Sequence, residues 1–193
     1  MRSGRWRHHR RPDQRRRRHR SVLRCDVTIQ EVQPVPDIEE LAYHLAAEKI
    51  RSVIGRYCVA CDERDRDALR TCFADDATAR YDRDADLAGA GDIVGWILRA
   101  TEHLCWQQHT AQLMTLSVEG DQASAVAYLT SHQVAHDNLS NLLMMNSRYD
   151  FRFTRTGGRW EICRLELTVG TVETRAAHLG ELIKERTSTG EKR

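Results

Sequence analysis

Near residue 105 the hydrophobic pattern of this chain changes its period. Upstream, Leu41, Leu45, Ile50, Val53, Ile54, Tyr57, Cys58 and Cys61 recur mostly three and four residues apart, the repeat of one helix face. Downstream, β-type runs are separated by the turn signals Glu119-Gly120-Asp121 and Gly157-Gly158. The spacing predicts helices over 37–62, 66–73 and 90–104, with an extended segment at 77–81. It predicts strands over 107–118, 122–136, 144–155 and 159–172, and a last amphipathic piece, read as a helix, over 174–186. Helices first and long antiparallel strands afterwards imply an α+β fold, not alternating βαβ units. Asp37 is the expected N-cap of the first helix, with Glu39 and Glu40 in the turn where the helix dipole favours carboxylates.

At 193 residues the chain is one domain with little to spare. No run of ~18 apolar residues is present, so the sequence predicts no membrane-spanning helix. The net charge of +2 conceals a division. Residues 1–24 hold eleven Arg and one Asp, whereas the remainder carries nineteen basic and twenty-seven acidic side chains. So few apolar groups at such charge density cannot offset the entropy of ordering, and the arm reads as disordered. Its Arg density could neutralise phosphates, but no nucleic-acid module follows, so a passive tail or an upstream start codon is preferred, with Val27 as the true start. The expected organisation is an arm over 1–33, a domain over 34–188 and a tail over 189–193. Six cysteines at 25, 58, 61, 72, 105 and 163 show no disulfide spacing, and no apolar h-region follows the basic arm. A cytoplasmic protein with reduced thiols is expected.

Candidate chemistry gathers at the end of the first helix and on the first two long strands. Tyr57 lies on the apolar helix face, and Asp62 sits where the helix runs out, a place the dipole disfavours for a carboxylate. His109 shares strand parity with Ala111 and Leu113, an inward set. His132 shares parity with Tyr128, Thr130, Val134 and His136 on the next strand. A lone histidine on such a face is more often a hydrogen-bonded core residue than a catalyst. Two histidines, a Tyr and an Asp converging on one cavity would be a site.

The stretch from Ile50 to Ala77 resembles the opening of SnoaL-like proteins of the nuclear transport factor 2-like superfamily. The shared pattern is a helix ending in Tyr57, then Asp62, an Arg-Asp pair, and Phe73-x-x-Asp76-Ala77. The Gln108-His109-Thr110 strand, the Gly120-Asp121 turn and the strand from Gly158 through Trp160 to Ile162 fit as well, so the likeness spans about 38–172. It implies a cone-shaped α+β barrel, with a curved antiparallel sheet and three N-terminal helices enclosing a pocket.

Within the superfamily the pattern is similar to the dehydratase group, which includes scytalone dehydratase, bile-acid 7-alpha-dehydratase and hexachlorocyclohexane dehydrochlorinase. The resemblance implies that Asp62 pairs with His109, that Tyr57 and His132 are further polar groups of the cavity, and that Tyr81 contacts substrate. Tyr128, His136 and Arg164 are further substrate-binding candidates, with Arg175 an alternative to Arg164. Cys61 departs from the pattern, standing where scytalone dehydratase has a Tyr. The implied activity is a cofactor-independent lyase or isomerase acting on a hydrophobic oxygenated molecule such as a polyketide, steroid or aromatic metabolite. His109 would be the base, Asp62 would hold its tautomer, and Tyr57 or His132 would donate to a developing oxyanion. The alternatives are a non-catalytic small subunit of a ring-hydroxylating dioxygenase and a ligand-binding module of the same fold. A homo-oligomer, dimer or trimer, is expected.

Other signals carry less. Cys58-x-x-Cys61 has no second ligand pair, and His132 and His136 lie on a strand, so no metal site is expected. Leu142 to Met145 read as core, oligomer contact or pocket lining. Gly89 and Gly91 lack the Lys-Ser/Thr of a phosphate loop.

Overall fold

A computed structural model describes residues 37–81, 85–178 and 180, all within one compact unit that begins at Pro36. The arm at 1–33 and the tail at 189–193 lie outside the described residues. Three helices precede and interrupt a six-stranded sheet. They are α1 (Ile38–Glu63), α2 (Arg66–Arg70) and α3 (Ala90–Ala100). The strands are β1 (Phe73–Tyr81), β2 (Ala85–Ala88), β3 (Leu104–Glu119), β4 (Gln122–Ala135), β5 (Asn138–Thr156) and β6 (Arg159–Ala176). Their order across the sheet is β2-β1-β6-β5-β4-β3, so β2 and β3 are its edges and the cone stays open.

Helix α1 starts as its sequence dictates, with Asp37 accepting a 2.7 Å bond from the Glu40 N–H. Its end is less ordinary. Arg64 adopts the left-handed conformation (φ 53°) usually left to glycine, and the Asp65 N–H closes back onto the Ala60 carbonyl. A non-glycine residue there costs roughly 1 kcal/mol or more. The Arg64 guanidinium offsets that cost by donating to the Thr101 carbonyl (2.8 Å) and to the Leu104 carbonyl, fastening the helix end to the start of β3.

The core fills by matching small residues to large ones across β4 and β5. Ala123, Ala125 and Ala127 stand opposite Phe153, Phe151 and Tyr149. Those rings stack along β5, and Tyr57 of α1 meets Phe73, Tyr149 and Phe151 edge-on. The alanines leave the volume that the aromatic ladder and helix α1 occupy, which is how interiors reach crystal-like density.

Single extra residues curve the sheet. Register shifts leave Met114 on β3 and Cys163 and Gly170 on β6 without a cross-strand partner, and such bulges bend a strand and increase its twist. At Gly170 a Cβ would stand 3.1 Å from the Asn146 carbonyl oxygen, a tight approach that a larger residue could make only by shifting that backbone by a few tenths of an ångström.

Several sequence-based bounds shift. The third helix stops at Ala100 because Leu104 already belongs to β3. Strand β6 continues through Ala176, so the helix expected from 174 does not begin there, and residues 181–193 lie outside the described residues. Strand β2 was not foreseen, and β5 begins at Asn138. The sheet is mixed, since β1 pairs with β6 in parallel while the other neighbours are antiparallel.

Candidate active site

The last turn of α1 lies against β3, and there Asp62 meets His109. The His109 ring Nδ1–H donates to Asp62 Oδ1 at 2.5 Å, and the His109 backbone N–H donates to Asp62 Oδ2 at 3.0 Å. Both carboxylate oxygens are thus engaged by one residue. These bonds supply what a carboxylate needs at a helix C-terminus, where the dipole works against it. The side chains keep 19% and 12% of their surface exposed, so the pair is sheltered yet reachable from outside. With Nδ1–H committed to Asp62, the neutral ring presents Nε2 as a proton acceptor.

The neighbouring residues fix this geometry. Gln107, two residues before His109 and on the same face of β3, is buried and donates from Nε2 to the Cys61 carbonyl at 2.5 Å. With the Arg64 bonds, it ties the end of α1 to β3 on both sides of Asp62.

Five residues before Asp62 on α1, Tyr57 is buried, with its hydroxyl 3.2 Å from that of Tyr81, and Tyr81 stacks on Trp96 at 4.4 Å. Burial pushes the phenols of Tyr57, Tyr81 and Tyr149 well above their ordinary values, so all three stay neutral hydrogen-bonding groups. Burial, followed by the nearby Asp62 charge, pushes the Cys58 thiol up to about 12, and burial likewise raises Cys61. Both are therefore packing residues, not thiolates. Among the described residues, no three His, Cys, Asp or Glu side chains group as metal ligands do.

Four of the sequence candidates stand elsewhere. From Ala123 to Ser131 the buried residues of β4 are Ala123, Ala125, Ala127, Leu129 and Ser131, so Tyr128, Thr130 and His132 lie on the opposite face, where Val134, next to a register shift, is also buried. Register makes this concrete: Ser131 stands opposite His109, and His132 stands opposite Gln108. The expectation of His132 in the cavity is corrected by one residue, and a one-residue change of parity moves a side chain through the sheet. Tyr128 is 52% exposed on that outer face. His136 lies in the β4–β5 turn, its N–H on the His103 carbonyl. Arg164 is exposed and bonded to Glu166, beside an outer groove it shares with Asp150 and Arg152. Of the eight sequence candidates, the structure brings together Asp62 with His109, and Tyr57 with Tyr81.

Sequence reasoning passed over Gln107, Ser131, Gln133 and Tyr149. Gln107 was findable from its parity with His109. Ser131 was not, because small residues look uninformative beside the Tyr, Val and His of the opposite parity. On the face that carries His109, the partly exposed Ala111, Leu113, Leu143, Met145 and Val169 form an apolar wall.

The family model of the SnoaL-like domain matches residues 43–166. The chain belongs to this family. Among solved structures, this SnoaL-like chain superposes on the hexachlorocyclohexane dehydrochlorinase LinA-type3 of Novosphingobium barchaimii with a TM-score of 0.65 at 14% identity, covering 72% of this chain and 95% of that one. A candidate scytalone dehydratase of Novosphingobium aromaticivorans gives 0.63 at 14% identity, covering 72% and 91%. A nuclear transport factor 2-like protein from the same species gives 0.58 at 25% identity, covering 70% and 91%. No curated protein matches the sequence.

Proposed function

We propose that this SnoaL-like chain is a cofactor-independent lyase or isomerase of the dehydratase type, with Asp62 and His109 as its catalytic dyad. The observation that carries the reading is the double bond pattern from His109 to Asp62, at 2.5 and 3.0 Å, at a partly exposed place on the inner sheet face. Neutral His109 takes a proton from carbon through Nε2, and Asp62 stabilises the imidazolium that forms. The same imidazolium returns the proton to a departing hydroxyl for dehydration, or to another carbon for isomerisation. In this reading Tyr57 and Tyr81, held neutral by burial, are the hydrogen-bond donors for a developing oxyanion. The apolar wall suits a hydrophobic oxygenated substrate.

The superposition on dehydrochlorinase and dehydratase structures supports the fold of such an enzyme. The test is proton exchange. Incubating the chain in D2O with a panel of β-hydroxy ketones should put deuterium at the acidic carbon or eliminate water, and His109→Ala should abolish both while leaving the circular dichroism unchanged. Full exchange by His109→Ala would end the proposal.

A further inference from the structure

Beside the dyad lie three polar side chains whose hydrogen bonds do not add up. Gln107 Oε1 is a buried acceptor that meets no donor among the described residues. Its orientation is set, because the nitrogen of the same amide donates to the Cys61 carbonyl, so the unpaired end is the oxygen. An orphaned buried acceptor costs free energy and calls for a partner.

The nearest candidate by register is Gln133. It stands directly opposite Gln107 on the same face, where side chains begin about 4.5–5.5 Å apart. Gln133 itself is loosely held: its Nε2 reaches Ser131 Oγ at 3.5 Å, the outer limit for a hydrogen bond. Ser131, fully buried, is the cross-strand neighbour of His109. Gln133 is half-buried and sits diagonally across from His109.

A glutamine amide has two N–H donors and one carbonyl acceptor. The acceptors next to Gln133 on this face are Ser131 Oγ, which its Nε2 reaches, and, by register across the strand pair, Gln107 Oε1, one for each N–H. With its two N–H groups given to these acceptors, only the Gln133 carbonyl oxygen is left to be satisfied from outside. We infer that Gln133 holds a hydrogen-bond-donating group of the substrate, a hydroxyl or an N–H, next to the carbon that His109 deprotonates. This rests on the dyad reading above. Gln107 then acts as a positioning residue, passing the fixed orientation of the Cys61 carbonyl to Gln133.

The test uses the full chain and two probes that differ only in the donor, 4-chlorophenol and 4-chloroanisole, titrated while the His109 ring signals are followed by NMR. The phenol should bind about tenfold tighter, the scale of leaving one buried polar group unpaired. In Gln133→Met that ratio should fall to about one, with both probes still moving the His109 signals. Gln107→Met should lower the ratio part of the way. On the unaltered chain, the Gln133 side-chain amide signals should shift with the phenol and not with the ether, a reading that needs no variant to fold. A ratio near one in the unaltered chain, a ratio that survives Gln133→Met, or shifts confined to residues away from His109 would each overturn the inference. Loss of exchange in His109→Ala alongside a probe ratio that Gln133→Met leaves unchanged would remove Gln133 and leave the dyad. Retained exchange in His109→Ala would remove the dyad while the probe ratio is still read.

Discussion

At the level of single residues, the behaviour of Asp62 is a balance of two opposed effects. The helix dipole disfavours a carboxylate at the C-terminal turn, by roughly 0.3–1 kcal/mol at a surface site. Two hydrogen bonds from His109, one of them from a ring that becomes cationic in the proposed reaction, outweigh it. Asp62→Asn keeps the shape but offers one acceptor oxygen to two N–H donors; with that oxygen on the backbone N–H, its NH2 faces Nδ1 and the ring is no longer held in the required tautomer. Steady-state exchange rates for this variant should fall about 10²–10⁴-fold, with substrate affinity changed far less. The thiols make a second case. Cys58 is pushed up to about 12 from an ordinary value of 9, so between those pH values the unfolded chain releases a proton that the folded chain retains. Stability is therefore expected to fall as pH rises from about 9 towards 12. Iodoacetamide at pH 8 should label Cys58 and Cys61 far more slowly in the folded chain than in urea, as peptide mapping would record.

At the level of elements, the end of α1 decides where the site can be. Arg64 accepts a left-handed backbone because its guanidinium reaches two carbonyls at the start of β3. Arg64→Ala keeps the backbone strain and loses those bonds. Arg64→Gly loses the same bonds but removes the strain. Urea unfolding should place both variants below the parent, with the alanine variant lower than the glycine variant by about 1 kcal/mol. The reverse order would mean that the left-handed turn is not the source of strain.

The helix was legible because Asp37, Glu39, Glu40 and the apolar repeat from Ile50 to Cys61 all point one way. Its C-terminal turn at Arg64 was not, since no local signal marks an arginine for a conformation usually given to glycine. On β4 the alternation itself was legible, but its sense was not. The inward set is mostly alanine, and the outward set holds Tyr128 and His132, so side-chain size argued for the wrong face. Volume resolves it: the aromatic residues of β5 take the space, and only small partners fit opposite them.

At the level of the whole molecule, the outer face of β3 and β4 is unlike the rest of the sheet surface. Tyr128 and Met114 are about half exposed there, amid the uncharged Thr110, Gln112 and Thr130. The ion pairs Arg148–Asp150 and Arg164–Glu166 border this patch. An uncharged centre that exposes a Tyr and a Met inside a charged rim resembles the anatomy of a protein interface, and paired charges of both signs suit a second copy of the same chain. On the sequence-based expectation of a dimer or trimer, Tyr128→Glu should lower the mass measured by sedimentation equilibrium without shifting the far-ultraviolet spectrum. An unchanged mass would place self-association elsewhere or remove it. Among the described residues no helix is long and apolar enough to cross a membrane.

By itself the sequence determined the order of the three helices and the long strands and the turns between them, while its resemblance to SnoaL-like proteins implied the family and the pairing of Asp62 with His109. These follow from local periodicity, capping and short motifs, which act over a few residues and survive without knowledge of the fold. Only the tertiary structure decided which face of β4 turns inward and that β1 runs parallel to β6. It also decided that Ser131 and not His132 stands beside His109, and that Gln107 is left with an unmatched oxygen. Each of these depends on strand register and on how much volume the facing element leaves. Those are properties of contacts between residues far apart in the chain, and no local pattern encodes them.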